Sequence, residues 1–125
     1  MKTQSRFPSI RFSFRENRIY INHAALRCLE NPKFIELIYE DMRRLFLIRA
    51  AENKTRESIV IKDEVYASSG EDCRISRKVL TEAFRRRLGW ETDGSYRIEG
   101  EYAPKLKTVV FELLKAVKIN MEISE

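Results

Sequence analysis

RIYINHAALRCLENPKFIELIYEDMRRLFLIR, residues 18–49, predicts a strand, a short helix and a hairpin of two strands, in that order. Over residues 18–21 polar and apolar side chains alternate, which is typical of a half-buried strand. Asn22 is a good helix N-cap, because its side-chain oxygen can accept a hydrogen bond from the first helical turn. The helix is expected to end before Pro32, since the residue preceding a proline disfavours helical geometry. Two apolar runs joined by a charged turn at 40–44 then predict the hairpin.

The segments around this stretch predict further strands. Polar and apolar residues alternate over 10–14, a short apolar run over 58–61 is typical of a strand, and a further strand is predicted over 96–98. The run at 108–113 also fits a helical stripe, and we favour a strand because the order of the first stretch predicts one there. The polar residues 68–72, with two serines and a glycine, form the most flexible-looking connection.

A second, longer helix is predicted over 77–88, with Ser76 as its N-cap and Gly89 as the residue that ends it. Trp90 is expected to pack this helix against the following hairpin. At 100° per residue, the apolar face of the helix is predicted to consist of Val79, Leu80, Ala83, Phe84 and Leu88. The opposite, solvated face is predicted to consist of Lys78, Thr81, Glu82 and Arg85.

The order of elements recurs at an offset of 54 residues, which places Ile75-Ser76 in the position of Ile21-Asn22. Either the two halves descend from a duplication, or any strand–helix–hairpin sequence would align this well. The resulting prediction is a strand-rich α+β fold, with two pseudo-repeated β-α-β-β units, 1–62 and 63–125, around one core in one compact domain.

The first unit resembles the swapped-hairpin domain of the AbrB/SpoVT type. That family runs Gly-Arg-Val-Val-Ile-Pro, then a short helix with paired arginines and a Leu-Gly end, then a hairpin. The residues of this chain that match the pattern are Arg18, Ile19, Ile21, Arg27, Leu29 and the hairpin at 34–48. The chain departs from it with Asn17 in place of glycine, Asn22 in place of proline, and residues 30–32 after the leucine.

This resemblance covers residues 17–49 and implies DNA binding through basic residues near the helix, usually by an interlocked dimer. A chain with two such units could build the dimer-like fold internally, as a monomeric pseudo-dimer, or form a homodimer. The whole chain is also similar to small proteins of bacterial mobile elements and phages. That similarity implies no activity by itself, but it keeps open an alternative function: binding and inhibiting a host protein such as a defence nuclease, in the manner of an anti-CRISPR protein.

The charge of the chain is basic and unevenly distributed. Its net charge is +5 and its pI about 9.4, and residues 1–62 hold 13 Lys and Arg against 7 Asp and Glu. Such a balance permits binding of double-stranded DNA, and equally docking on an acidic host protein surface. Arginine and lysine suit phosphate groups, so the candidate nucleic-acid-binding residues are Arg18, Arg27, Arg43, Arg44, Arg74, Arg77, Lys78, Arg85 and Arg86. Inward-pointing aromatic residues disfavour a platform for single strands, and a DNA-binding role in transcription regulation is the first expectation.

Enzymatic chemistry has little support in the sequence. His23 is the only histidine, so a serine or cysteine nucleophile could be paired with a histidine base at that one position only. The glycines form no phosphate-binding loop, and no cluster has the spacing of a metal site, so neither cofactor nor metal is expected. Two cysteines, Cys28 and Cys73, without a CxxC motif indicate free thiols in a reducing cytoplasm. Apolar runs far shorter than about 20 residues predict no membrane span.

Overall fold

Two antiparallel sheets of five strands each, with three helices, form the fold in a computed structural model that describes residues 7–67 and 72–119. This confirms the predicted strand-rich α+β class. In chain order the elements are β1 (Ser9–Ser13), β2 (Arg18–Ile21), α1 (His23–Cys28), β3 (Phe34–Glu40), β4 (Leu45–Ala51), β5 (Ile59–Val60), α2 (Asp63–Ala67), β6 (Cys73–Ile75), α3 (Lys78–Leu88), β7 (Ser95–Glu99), β8 (Glu101–Ala103), β9 (Thr108–Glu112), a 3-10 turn (Leu113–Lys115) and β10 (Val117–Ile119). The predicted strand at 108–113 is therefore confirmed.

The strands are ordered β10-β7-β1-β2-β6 in the first sheet and β5-β3-β4-β9-β8 in the second. Both sheets thus combine strands from residues 1–62 with strands from residues 63–125. The chain passes from the first sheet to the second between β7 and β8, with Gly100 as the single connecting residue. A Cβ atom at Gly100 would lie 2.6 Å from Cε1 of Phe111, so the two sheets approach closely there.

Asn22 caps α1 as predicted and also ties the helix to β1. Its Oδ1 accepts hydrogen bonds from the backbone N–H groups of Ala25 and Ser9, both at 3.0 Å. Its Nδ2 donates to the carbonyl of Phe7 at 2.9 Å. Since one side chain satisfies groups in two elements, the position of α1 against the first sheet is set locally.

The core lies between the two sheets and is rich in aromatic rings. Phe12 of the first sheet meets Phe46 of the second edge to face, with ring centroids 5.2 Å apart. Phe84 of α3 lies 5.0 Å from Phe12 and 5.7 Å from Phe46, so the helix closes the same core. Edge-to-face aromatic pairs add about 0.5–1.5 kcal/mol beyond area burial.

The predicted apolar face of α3 is right for Phe84, Leu80 and Leu88, which are buried or packed against the core, and wrong for Val79 and Ala83, which are exposed. Val79 is 89% exposed, whereas Thr81 is buried together with Phe84. Thr81 tolerates burial because its hydroxyl donates within the helix, 3.2 Å from the carbonyls of both Arg77 and Lys78. The predicted Ser76 cap is also wrong, since Arg77 occupies the N-cap position without a side-chain hydrogen bond.

The C-terminal end of α3 follows the prediction. Gly89 adopts the left-handed conformation, φ 70°, and ends the helix. Trp90 stacks on Tyr96 of β7, with ring centroids 4.2 Å apart, and contacts Phe84. Trp90 therefore packs α3 against the following strand, as expected.

The duplication is not confirmed and stays a hypothesis. Both proposed units run from a strand into a helix, but α1 has 6 residues and α3 has 11. β3 and β4 form a hairpin within one sheet, whereas β7 and β8, the two strands after α3, lie in different sheets. The connection predicted to be flexible, 68–72, lies outside the described residues except for Asp72.

Candidate nucleic-acid interface

A row of arginines crosses the outward face of the first sheet. Arg11 of β1 is paired in register with Arg97 of β7 on one side and with Tyr20 of β2 on the other. Tyr20 is in turn paired with Arg74 of β6. The neighbouring residues on these strands point into the core, so the row Arg74–Tyr20–Arg11–Arg97, here called the arginine row, points away from it.

Arg11 and Tyr20 are held together within this row. The guanidinium carbon of Arg11 lies 3.9 Å from the centre of the Tyr20 ring, which is a cation–π contact. The Tyr20 hydroxyl donates to Oε1 of Glu16 at 2.6 Å. This hydrogen bond lowers the pKa of Glu16, with smaller contributions from Arg11 and Arg18. One carboxylate thus offsets part of the positive charge at this point of the face.

Further cations lie where β2 begins and β6 ends. Ile19 is paired with Ile75, so Arg18, just before it, lies at the same end of the sheet as the start of α3. That helix begins at Lys78, with Arg77 as its N-cap and no acidic residue in its first turn. Four of the residues predicted from sequence, Arg18, Arg74, Arg77 and Lys78, therefore come from three elements to one corner of the first sheet.

A groove of about 550 Å³ lies beside the β1–β2 turn and includes the two middle residues of the arginine row in its lining. Arg11, Arg15 and Tyr20 line it, but so do Glu91 and Asp93, which would repel an anion. Glu91 forms an ion pair with Lys118. Cations and carboxylates therefore balance within the groove, whereas Arg74 and Arg97 of the row lie outside its lining.

Arg43 and Arg44, at the β3–β4 turn, belong to a separate cluster around Asp41. Asp41 lies 3.7 Å from Arg44 and 3.4 Å from Arg87 of α3. The pKa of Asp41 is lowered first by a hydrogen bond from the Tyr39 hydroxyl and then by these arginines. Arg43 lies 3.4 Å from Glu40. These arginines lie beside carboxylates of the protein, and the carboxylates offset part of the positive charge that a ligand would meet.

The remaining predicted residues have different environments. Arg27 is exposed on α1, and the Arg86 side chain is 80% exposed, 3.9 Å from Glu82. The Arg85 side chain is only 12% exposed. Its Nη1 donates to the Trp90 carbonyl at 2.9 Å, and its Nε donates to both oxygens of Glu82 at 3.1 Å. Arg85 therefore links Glu82 within α3 to the backbone of Trp90, just after the end of the helix.

Sequence reasoning missed Arg11, Tyr20 and Arg97. Each is an outward residue of a strand whose flanking residues are apolar and buried, so alternation alone marks the three as solvent-facing. Their meeting in one row depends on β1 lying between β2 and β7, two strands that are far apart in the chain. Only the strand order could show it.

Three further observations on the described residues concern metal binding, the single histidine and membrane insertion. Residues 7–67 and 72–119 contain no group of three or more His, Cys, Asp or Glu side chains placed to hold a metal ion. His23 is half-buried, and no described residue forms a hydrogen bond with its Nε2. None of the described helices is long and apolar enough to cross a bilayer.

No family model, curated protein or solved structure matches the chain.

Proposed function

We propose that the chain is a non-enzymatic regulatory protein that binds double-stranded DNA through the outward face of its first sheet. The arginine row carries this proposal, since it places three guanidinium groups from three strands on one face. The cations at the corner formed by β2, β6 and α3 extend the positive surface. Lysine and arginine contacts to phosphate supply most of the affinity for DNA, and arginine is suited to them by its planar fork.

The geometry of the row favours phosphate contacts along a duplex. Neighbouring strands lie about 4.8 Å apart, so four strands span about 14 Å, or about four base-pair steps of about 3.4 Å. The Tyr20 ring is covered on one face by Arg11, which leaves less of it for stacking with an unpaired base. Contacts of this kind position a protein on DNA without selecting a sequence.

Three further proposals concern the DNA contacts near α1, the cellular compartment and an alternative function. The AbrB-type resemblance supports DNA binding through Arg18 and Arg27, by a monomeric pseudo-dimer or a homodimer. The thiols of Cys28 and Cys73 are free, which supports a protein of the reducing cytoplasm. The alternative is a phage or mobile-element inhibitor, in which the same arginines would pair with an acidic surface of a host protein.

A salt-dependent binding measurement with matched variants tests the proposal. Fluorescence anisotropy of a labelled duplex would be compared at about 50 mM and about 200 mM salt, where several phosphate contacts predict a loss of affinity of tenfold or more. The variant Arg11→Ala/Arg74→Ala/Arg97→Ala should bind more weakly, with a salt slope smaller by about 0.9 per lost contact. The control Lys33→Ala/Lys54→Ala/Lys105→Ala removes the same charge from exposed loop positions and should bind nearly as the wild type does.

Two results would overturn the proposal. One is a lack of binding by the folded wild-type protein at the lower salt concentration. The other is an equal loss of affinity in both triple variants, because this would assign binding to net charge and not to the arginine row. Either result would turn attention to an acidic protein partner.

A further inference from the structure

One edge of β3 is open over most of its length. The strand pairs with β4 through all seven of its residues, Phe34 to Glu40. On its other side β5 pairs only with Phe34 and Ile35. Among the described residues, nothing continues the ladder along this side from Glu36 onward. An unpaired strand edge presents backbone donors and acceptors to which another extended chain can bind.

The hydrogen-bonding groups on the open side can be assigned. The Lys33 carbonyl accepts from the Ile61 N–H at 2.8 Å, so Lys33 directs its backbone toward the β5 side. Because backbone direction alternates along a strand, Leu37 and Tyr39 also direct their N–H and C=O groups to that side. Because β5 pairs only with Phe34 and Ile35, no strand among the described residues pairs with Leu37 or Tyr39 on that side.

A groove of about 560 Å³ runs between this edge and α3. Leu37 and Ile59 line it from the second sheet, and Leu80 lines it from the helix. All three side chains are half-buried, so apolar surface is left uncovered inside the groove. A groove with a strand edge on one wall and a helix on the other is the geometry in which extended peptides add to a sheet.

Charged side chains indicate which peptide fits. Arg56 and Arg77 line the groove, against Glu57 as the one acidic residue of its lining. Arg77 stands beside the start of a helix without acidic residues in its first turn, where an anion would be stabilised. The balance of charge therefore favours an acidic ligand.

We infer that this groove binds an extended segment of a partner protein in which apolar and acidic residues alternate. The segment would add antiparallel or parallel to β3, with hydrogen bonds to Leu37 and Tyr39. Its apolar side chains would pack on Leu80, and its carboxylates would pair with Arg56 and Arg77. A second copy of the chain fits less well, because its own α3 would keep its β3 away from the groove. Arg77 belongs both to the basic corner and to this groove, but the inference does not depend on DNA binding, since β3 and Arg56 lie outside the proposed DNA-binding surface.

Peptide titration followed by NMR tests the inference. The probe is a peptide of about eight residues of alternating valine and glutamate, added to the ¹⁵N-labelled protein up to about 1 mM, a range that detects weak binding. We expect the amide signals of Leu37 and Tyr39 to shift, and their hydrogen exchange to slow. A peptide of alternating valine and lysine is the control and should leave both amides unchanged.

Variants separate specific docking from general attraction to a basic protein. Arg56→Glu/Arg77→Glu should weaken binding of the acidic peptide by at least about tenfold. Lys54→Glu/Lys105→Glu, with the same change of charge at exposed loop positions, should weaken it much less. Absence of any shift at Leu37 and Tyr39, shifts confined to the arginine row, or equal effects of the two double variants would each overturn the inference.

Discussion

The guanidinium carbon of Arg11 lies 3.9 Å from the centre of the Tyr20 ring, on the face of the first sheet that points away from the core. The same tyrosine donates a hydrogen bond to Glu16 at the β1–β2 turn. Tyr20 therefore holds a cation on its ring and an anion at its hydroxyl. This arrangement orients Arg11, which forms no ion pair with a carboxylate among residues 7–67 and 72–119, so its donors can contact a phosphate.

The Tyr20 hydroxyl should control the titration of Glu16. In the variant Tyr20→Phe, the pKa of Glu16 should rise toward its ordinary value, because the hydrogen bond that lowers it most is gone. A carboxylate with a lowered pKa stabilises the folded state above its unfolded pKa, and this contribution is lost as the pH falls through the folded pKa. Tyr20→Phe should thus reduce the loss of stability in acid. Carboxyl-detected NMR titration measures the pKa, with Tyr102→Phe on β8 as the control, and an unchanged Glu16 pKa would contradict the prediction.

Substitutions in α3 should follow the observed buried face. Val79→Asp should change the free energy of unfolding by less than about 0.5 kcal/mol, because an exposed site away from special contacts tolerates change. Phe84→Ala should cost about 3–5 kcal/mol, since it opens a cavity where the two sheets and the helix meet. Urea unfolding of both variants measures the difference. A large destabilisation by Val79→Asp would restore the face that the sequence pattern predicts.

Two neighbouring arginines at the end of α3 should behave differently. Arg85→Ala should lower the free energy of unfolding by about 1–3 kcal/mol, because the Trp90 carbonyl and Glu82 lose their partner. Arg86→Ala should be close to neutral, since its side chain is 80% exposed. Thermal and urea unfolding provide the comparison. Equal stabilities of the two variants would show that Arg85 does not hold the helix end.

The stability of the fold should be sensitive to substitution of Gly100, the residue that connects β7 in the first sheet to β8 in the second. Gly100→Ala should destabilise the fold by about 1–3 kcal/mol through overpacking. The new Cβ would lie 2.6 Å from the Phe111 ring and 2.9 Å from the Val110 carbonyl oxygen, so ring or backbone would have to move. Gly89→Ala is the informative comparison, because its cost of about 1–2 kcal/mol should come from the left-handed backbone and not from a clash. Replacing Phe111 with leucine should therefore relieve the part of the Gly100→Ala cost that comes from the ring and leave Gly89→Ala unchanged, and the absence of any relief would contradict the clash with the Phe111 ring.

Much of the local structure could be predicted because its causes lie within a few residues. Alternation identified β1 and β2, Asn22 identified the start of α1, and Gly89 identified the end of α3. The wheel pattern of α3 failed at Val79, Thr81 and Arg85 for the opposite reason. Which side of a helix is buried depends on what packs against it, and here the Thr81 hydroxyl and the Arg85 guanidinium could be satisfied on the buried side.

The sequence by itself determined the elements, their order and the sign of the charge, because propensity, capping and composition act locally or as simple sums. Only the tertiary structure decided which charges meet. Arg74, Tyr20, Arg11 and Arg97 form a row because backbone hydrogen bonds between distant segments set the order β7-β1-β2-β6 and its register. Such pairing is a property of the folded sheet as a whole, so no segment taken alone contains the proposed interface.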